Sequence, residues 1–136
     1  MKKWIVIGIL FITGTSFSQA QKQIIVNGQT LSGEVIHFLE GTYRVQINPG
    51  AYWYDPASGF WGLQGYGPQG IMLPGLQLGG TLQPDASNGN TGIFINGRQI
   101  TLPEQLELVK ITGGEIQKGR YWLNAQGWAG LEGQGA

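Results

Sequence analysis

The chain has 136 residues with no cysteine, eight basic and eight acidic side chains, and 24 glycines. Charged residues make up only 12%, about half the usual share, so the chain lacks the basic footprint that nucleic acid or an anionic lipid surface requires. Without cysteine, burial must hold the fold with no disulfide and no thiolate metal site.

The chain opens with Lys2 and Lys3, an apolar run from Trp4 to Ile12, and a small and polar stretch to Ala20. Ser18 and Ala20 stand where an A-x-A-like cleavage site places its small residues, so residues 1–20 read as a secretory leader. The run is shorter than the roughly 20 apolar residues that span a bilayer. Cleavage would leave 116 residues with six basic against eight acidic groups. The expectation is an exported protein, in periplasm or medium, with no membrane segment after cleavage.

Beyond the leader, the sequence repeats itself. At an offset of 69, Ile24, Asn27, Gly28, Leu39, Ile47, Gly50, Tyr52 and Trp53 fall on Ile93, Asn96, Gly97, Leu108, Ile116, Gly119, Tyr121 and Trp122. After a one-residue deletion, Gly59, Gly62, Leu63, Gly65 and Gly67 match Gly127, Gly130, Leu131, Gly133 and Gly135. Glycine inflates chance matches, but Asn-Gly and Tyr-Trp holding one register across a long gap indicates duplication. The expected organisation is a first repeat over residues 21–65, a Gly/Pro-rich connector over 66–92, and a second repeat over 93–136.

Each copy carries the same local signals. IIVNGQTL and IFINGRQI place Asn27-Gly28 and Asn96-Gly97 between β-prone residues, the strongest short hairpin signal. A helix comes next: in the first copy Ser32 caps a shorter helix from Glu34 to Glu40 that ends at Gly41. In the second, Thr101 and Glu104 form a capping box, with Leu102, Leu106 and Val109 on one face and a stop at Gly113. A second hairpin turns at Asp55-Pro56-Ala57-Ser58-Gly59 and at Asn124-Ala125-Gln126-Gly127, with Gly59 and Gly127 in the left-handed region. The register read from those turns pairs Tyr54 with Phe60, Trp53 with Trp61 and Tyr52 with Gly62. In the second copy it pairs Leu123 with Trp128, Trp122 with Ala129 and Tyr121 with Gly130, each time laying a tyrosine over a glycine. The fold class is therefore α+β: two duplicated ββαββ-like units with short antiparallel hairpins and one short helix each.

The connector is not purely a linker: Ile71, Met72 and Leu73 and the spaced Leu76, Leu78 and Leu82 are apolar enough to pack, and Asp85 to Gly92 form a polar loop. One carboxylate in that loop is a poor calcium set, and an Asx/Gly turn cluster explains it better. No cofactor motif is present. His37 is the sole histidine and lies in the first helix, where a structural role outweighs a catalytic one. The eight carboxylates form no recognisable pair. No catalytic or metal site is expected.

The aromatics are the one feature with functional colour. By period 2, Tyr52, Tyr54 and Phe60 share one face of the first hairpin and Trp53, Trp61 and Leu63 the other. Both faces being apolar, one packs on its own helix, and the other either packs on the sister copy or the connector or stands open as a stacking platform. Trp53, Tyr54, Trp61 and Trp128 are the candidate binding residues. Trp61 is foremost, because the second copy has Ala129 in its place.

The run Asn27-Gly28, Leu31, Glu34-Val35, Leu39, Pro49-Gly50, Tyr52-Trp53-Tyr54-Asp55-Pro56, Ser58-Gly59, Trp61-Gly62 resembles a family of small exported bacterial proteins sharing P-G-x-Y-W-Y-D-P-x-S-G-x-W-G. The resemblance covers nearly all of the chain after the leader and implies export but no particular reaction. The second copy departs from it at Leu123, Asn124 and Ala129, which makes the first copy the candidate for a ligand. The expectation is an exported, non-catalytic envelope module binding a cell-wall glycan or an envelope protein through hairpin aromatics. A small carboxylate-dependent hydrolase and a self-associating surface protein are the alternatives.

Overall fold

A computed structural model describes residues 22–135; the expected leader lies outside the described residues. Eleven elements run in the order β1 Ile24–Val26, β2 Gln29–Thr30, α1 Gly33–Tyr43, β3 Gly50–Tyr54, β4 Phe60–Leu63, β5 Gly70–Ile71, β6 Ile93–Ile95, β7 Arg98–Gln99, α2 Leu102–Thr112, β8 Gly119–Leu123 and β9 Ala129–Leu131. The protein is α+β, built of two similar units. The first is a five-stranded sheet in the order β2-β1-β3-β4-β5, the second a four-stranded sheet in the order β7-β6-β8-β9.

In both units the Asn-Gly turn takes the left-handed values its type demands: φ 48° and 82° at Asn27 and Gly28, 53° and 90° at Asn96 and Gly97. The asparagine also has a second task. Asn27 Nδ2 donates to the Tyr54 carbonyl (2.8 Å) while its Oδ1 accepts from the Tyr54 N–H (3.0 Å), so the side-chain amide serves as a strand partner. Asn96 does the same with Leu123. That clamp sits beside a pairing not foreseen in the sequence: β1 runs parallel to β3, Ile24 opposite Gly50, and β6 parallel to β8, Ile93 opposite Gly119. Each helix is thus the crossover between two parallel strands.

The helices begin where their caps predict. Ser32 accepts from Val35 N–H, and Thr101 and Glu104 complete a capping box. Helix α1 runs through Gly41 and ends on Arg44 in the left-handed region, while α2 ends on Gly113. Their burial differs. Ile36 and Leu39 of α1 join Ile24, Val26, Leu31, Tyr54 and Leu78 in a core, with Met72 and Leu76 of the connector packed against it. Helix α2 buries none of its residues fully, and on the face shared by Leu102, Leu106 and Val109 the two leucines are 59% and 54% exposed.

The hairpin register also departs from expectation by one residue. Tyr54 lies opposite Trp61, Trp53 opposite Gly62 and Tyr52 opposite Leu63; Leu123, Trp122 and Tyr121 lie opposite Ala129, Gly130 and Leu131. The cause is the turn. Asp55 N–H donates to the Phe60 carbonyl (2.8 Å) and Asn124 N–H to the Trp128 carbonyl (3.0 Å), so both residues close the ladder rather than begin the loop. The ring over each glycine is consequently an indole. A Cβ on Gly62 would stand 3.0 Å from the Trp53 ring and 2.5 Å from the Gly67 carbonyl oxygen, a gap only glycine leaves.

Candidate functional site

The two units meet around Trp53. Its ring is fully buried, its Nε1 donates to the Tyr66 carbonyl (2.8 Å), and the Arg98 guanidinium lies 4.2 Å from its centroid. Arg98 is buried as well. It donates to both carboxylate oxygens of Glu104 (2.9 and 2.8 Å) and to Ser87 Oγ (2.9 Å), a bidentate pair that offsets the cost of burying the charge. Ser87 and Ala86 are buried too, so part of the loop read as polar turn is an inter-unit wedge. A second link runs from Asn96 Nδ2 to Asp55 Oδ2 (2.7 Å). Asp55 is buried and also accepts from Ala57 N–H (3.0 Å) and Ser58 Oγ–H (2.7 Å). Nothing in the first copy announces Arg98, since its counterpart is Gln29 (the mismatch at that position was the available signal).

Of the four aromatic candidates, Trp53 and Tyr54 are core residues and offer no face to a ligand. Tyr54 is held by its hydroxyl, which donates to the Leu73 carbonyl and accepts from Leu76 N–H (3.2 Å). Burial pushes its phenol up from the ordinary tyrosine value. Trp128 is 62% exposed. Trp61 is half-buried, tilted 59° against Tyr52 at 6.2 Å between centroids. The structure does not bring these four together on one platform.

It does place Trp61 in an open cavity of about 780 Å³ in the first unit. One wall is Tyr43 at the end of α1 with Val45, Ile47 and Pro49; the other is Trp61 with Ile71 and Met72 of the connector. Val45 and Ile71 are exposed at its rim. The first wall is pinned in place. Glu40 accepts from the Ile47 N–H (2.8 Å) and from Lys22, whose Nζ also donates to the Ile47 carbonyl (3.0 Å). The Lys22 ammonium, with the Ile47 amide, holds the Glu40 carboxyl below its ordinary value. Tyr52 Oη donates to the Asn48 carbonyl (2.6 Å), tying the floor to the same segment. Among the described residues, no Asp, Glu, Lys, Arg or His lines the cavity and no three metal-ligating side chains cluster. Nor is any described helix long and apolar enough to cross a membrane.

The turn residues take their places. Gly59 and Gly127 have φ of 87° and 91°, and Asp55 and Asn124 close their hairpins through side-chain contacts within each turn. His37 is exposed on α1.

No family model matches the chain, so its resemblance to small bacterial proteins rests on the motif alone. No solved structure matches it either. Two curated relatives do. Extra-large guanine nucleotide-binding protein 1 of Arabidopsis thaliana is 41% identical over 114 residues, which is 82% of this chain and 13% of the relative. Extra-large guanine nucleotide-binding protein 2 of the same plant is 39% identical over the same coverage. The chain therefore spans about an eighth of the length of the relatives it matches. These similarities overturn the reading of the chain as a bacterial, secreted envelope module with a cell-wall glycan or envelope protein as partner. Most of this chain is thus similar to a short part of two plant extra-large guanine nucleotide-binding proteins.

Proposed function

We propose that this chain is a non-catalytic accessory module of guanine nucleotide-binding proteins, and that it works by contact with the surface of such a protein. Two observations support the reading. The similarity covers most of this chain but a small part of each relative, as for a module set within a longer protein. The cavity beside Trp61 is apolar, uncharged and rimmed by exposed Val45 and Ile71. That suits an apolar side chain of a protein partner better than a nucleotide, whose phosphates call for cations or a helix N-terminus. The chain has no Gly-Lys pair, so the phosphate-cradling loop G-x-x-x-x-G-K-[ST] is not part of it. The cavity beside Trp61 is the observation that carries the proposal.

The test is calorimetric titration of the full chain with the purified remainder of an extra-large relative, loaded with GDP or with a GTP analogue. Binding is expected in at least one nucleotide state, and weakened about tenfold by Trp61→Ala or by Val45→Asp at the rim. Absence of binding in both states, or equal binding by both variants, overturns the proposal.

A further inference from the structure

One wall of the cavity beside Trp61 is held less firmly than the other. Strand β5 has only two residues, and the chain after it runs on without helix or strand until β6. Of its residues 70–77, Ile71, Leu73, Pro74, Gly75 and Gln77 are exposed, and only the side chains of Met72 and Leu76 are half-buried against the core. The far end is fixed. Leu78 is buried, Gly79 lies so near the Val26 carbonyl that no Cβ would fit, and the Gly80 carbonyl accepts from Asn27 Nδ2 (3.1 Å).

Two phenols of the first unit converge on the middle of this stretch. Tyr43 Oη accepts from Leu73 N–H (2.8 Å), while Tyr54 Oη donates to the Leu73 carbonyl and accepts from Leu76 N–H (3.2 Å). On the other side, Met72 N–H donates to the Gly59 carbonyl and Gly75 N–H to the Pro56 carbonyl, both at 2.8 Å. Gly59 makes that approach possible. A Cβ there would overlap the Met72 carbonyl, whereas its counterpart Gly127, with φ of 91° against 87°, has nothing within 4 Å of an added Cβ.

We propose that residues 70–77 are a strap that opens and closes as one piece beside the Trp61 cavity, with the hydroxyls of Tyr43 and Tyr54 as its clasp. A segment with few buried apolar contacts opens at a smaller free energy than the whole fold, and bonds converging on its middle make it open together. Opening takes the Ile71 and Met72 wall away from the cavity, and closing restores it. Resting on the reading of that cavity as a contact site, an occupant holds the strap shut, because it meets that wall only in the closed state.

The test is native-state hydrogen exchange of the full chain alone, followed by NMR. The amides of Met72, Leu73, Gly75 and Leu76 should share one opening that low denaturant barely changes. They should be about a hundredfold less protected than the amides of Asn27, Leu31 and Gly50, which bond the Tyr52, Ile24 and Gln23 carbonyls. Tyr43→Phe removes a bond to Leu73 only, yet should speed exchange of all four strap amides about tenfold and leave the three core amides as they were. Gly59→Ala should also free the strap, whereas Gly127→Ala, with the same backbone strain, should not. Strap amides that exchange in step with the core, an effect of Tyr43→Phe confined to Leu73, or equal effects of the two glycine variants each overturn the inference. Adding the purified remainder of an extra-large relative separates the two readings. Bound partner should slow the strap amides; binding without that slowing overturns the gating, and no binding overturns the contact reading while the strap's opening stands.

Discussion

At the residue scale the most consequential side chain is Arg98, which carries a buried charge between two units that are also joined through Trp53 and the Asn96–Asp55 hydrogen bond. Its guanidinium matches the Glu104 carboxylate in a planar, two-bond geometry and stacks on Trp53, neither of which an ammonium reproduces. Arg98→Ala should therefore destabilise the protein by about 3 kcal/mol, with Arg98→Lys recovering little of it, as read from urea midpoints. Two groups change their proton affinity on folding, and each implies a pH dependence. The Glu40 carboxyl is lowered on folding by Lys22 and the Ile47 amide, so its contribution is present above the unfolded carboxylate pKa and is lost as pH falls through the lowered value. Tyr54 is raised by burial, so its contribution is present below the unfolded phenol pKa and is lost as pH rises through the raised one. Thermal melts should show a fall on the acid side that Glu40→Gln flattens, and a fall on the alkaline side that Tyr54→Phe moves.

At the element scale, turns and caps are legible in the sequence because their chemistry is local. An Asn-Gly pair, a Thr-x-x-Glu box and a Gly closing a loop each constrain a few neighbouring dihedrals, and the folded chain keeps all of them. The register is not legible. It hinges on whether Asp55 and Asn124 lie inside the loop or on the ladder, a difference of one residue that composition does not mark. The parallel β1–β3 and β6–β8 pairings are hidden for a related reason, since the asparagine amides that lock them act across 27 residues. Two glycines of the first unit illustrate how local reading and packing part company. Gly41 lies within α1 with nothing within 4 Å of an added Cβ, so Gly41→Ala should stabilise by about 0.5–1 kcal/mol. Gly62 faces the Trp53 ring and the Gly67 carbonyl, so Gly62→Ala should destabilise by about 1–3 kcal/mol. Paired denaturant curves would show the two changes with opposite sign.

At the scale of the molecule, the doubling that is plain in the sequence produces two units with the same frame and unequal cover. The candidate site is legible only in part. Trp61 can be singled out because its counterpart is Ala129, but the cavity it lines also needs residues 43–49 and the connector, whose approach depends on tertiary packing. Trp53 reads as a platform residue because nothing local to it says that Arg98, far along the chain, lies on its ring. Export misleads for a different reason: a charged, apolar and small-residue series describes a leader statistically, while kinship shows only in comparison.

The contact between Asn96 and Asp55 also sets a limit on how the folded protein ages. Asn-Gly is the dipeptide most prone to lose its side-chain amide to hydrolysis, and Asn96 donates that same amide to a buried carboxylate at 2.7 Å. Conversion to aspartate would set a second anion against the buried Asp55 carboxylate, and one of the two must take up a proton or the pair must move apart. Its carboxylate pKa would rise on folding, so the damage would grow as pH rises through the carboxylate range. Asn96→Asp reproduces the lesion: its melting temperature should trail the parent's far more at neutral pH than in mild acid, whereas Asn27→Asp, which faces the Gly80 carbonyl instead, should show a smaller pH dependence.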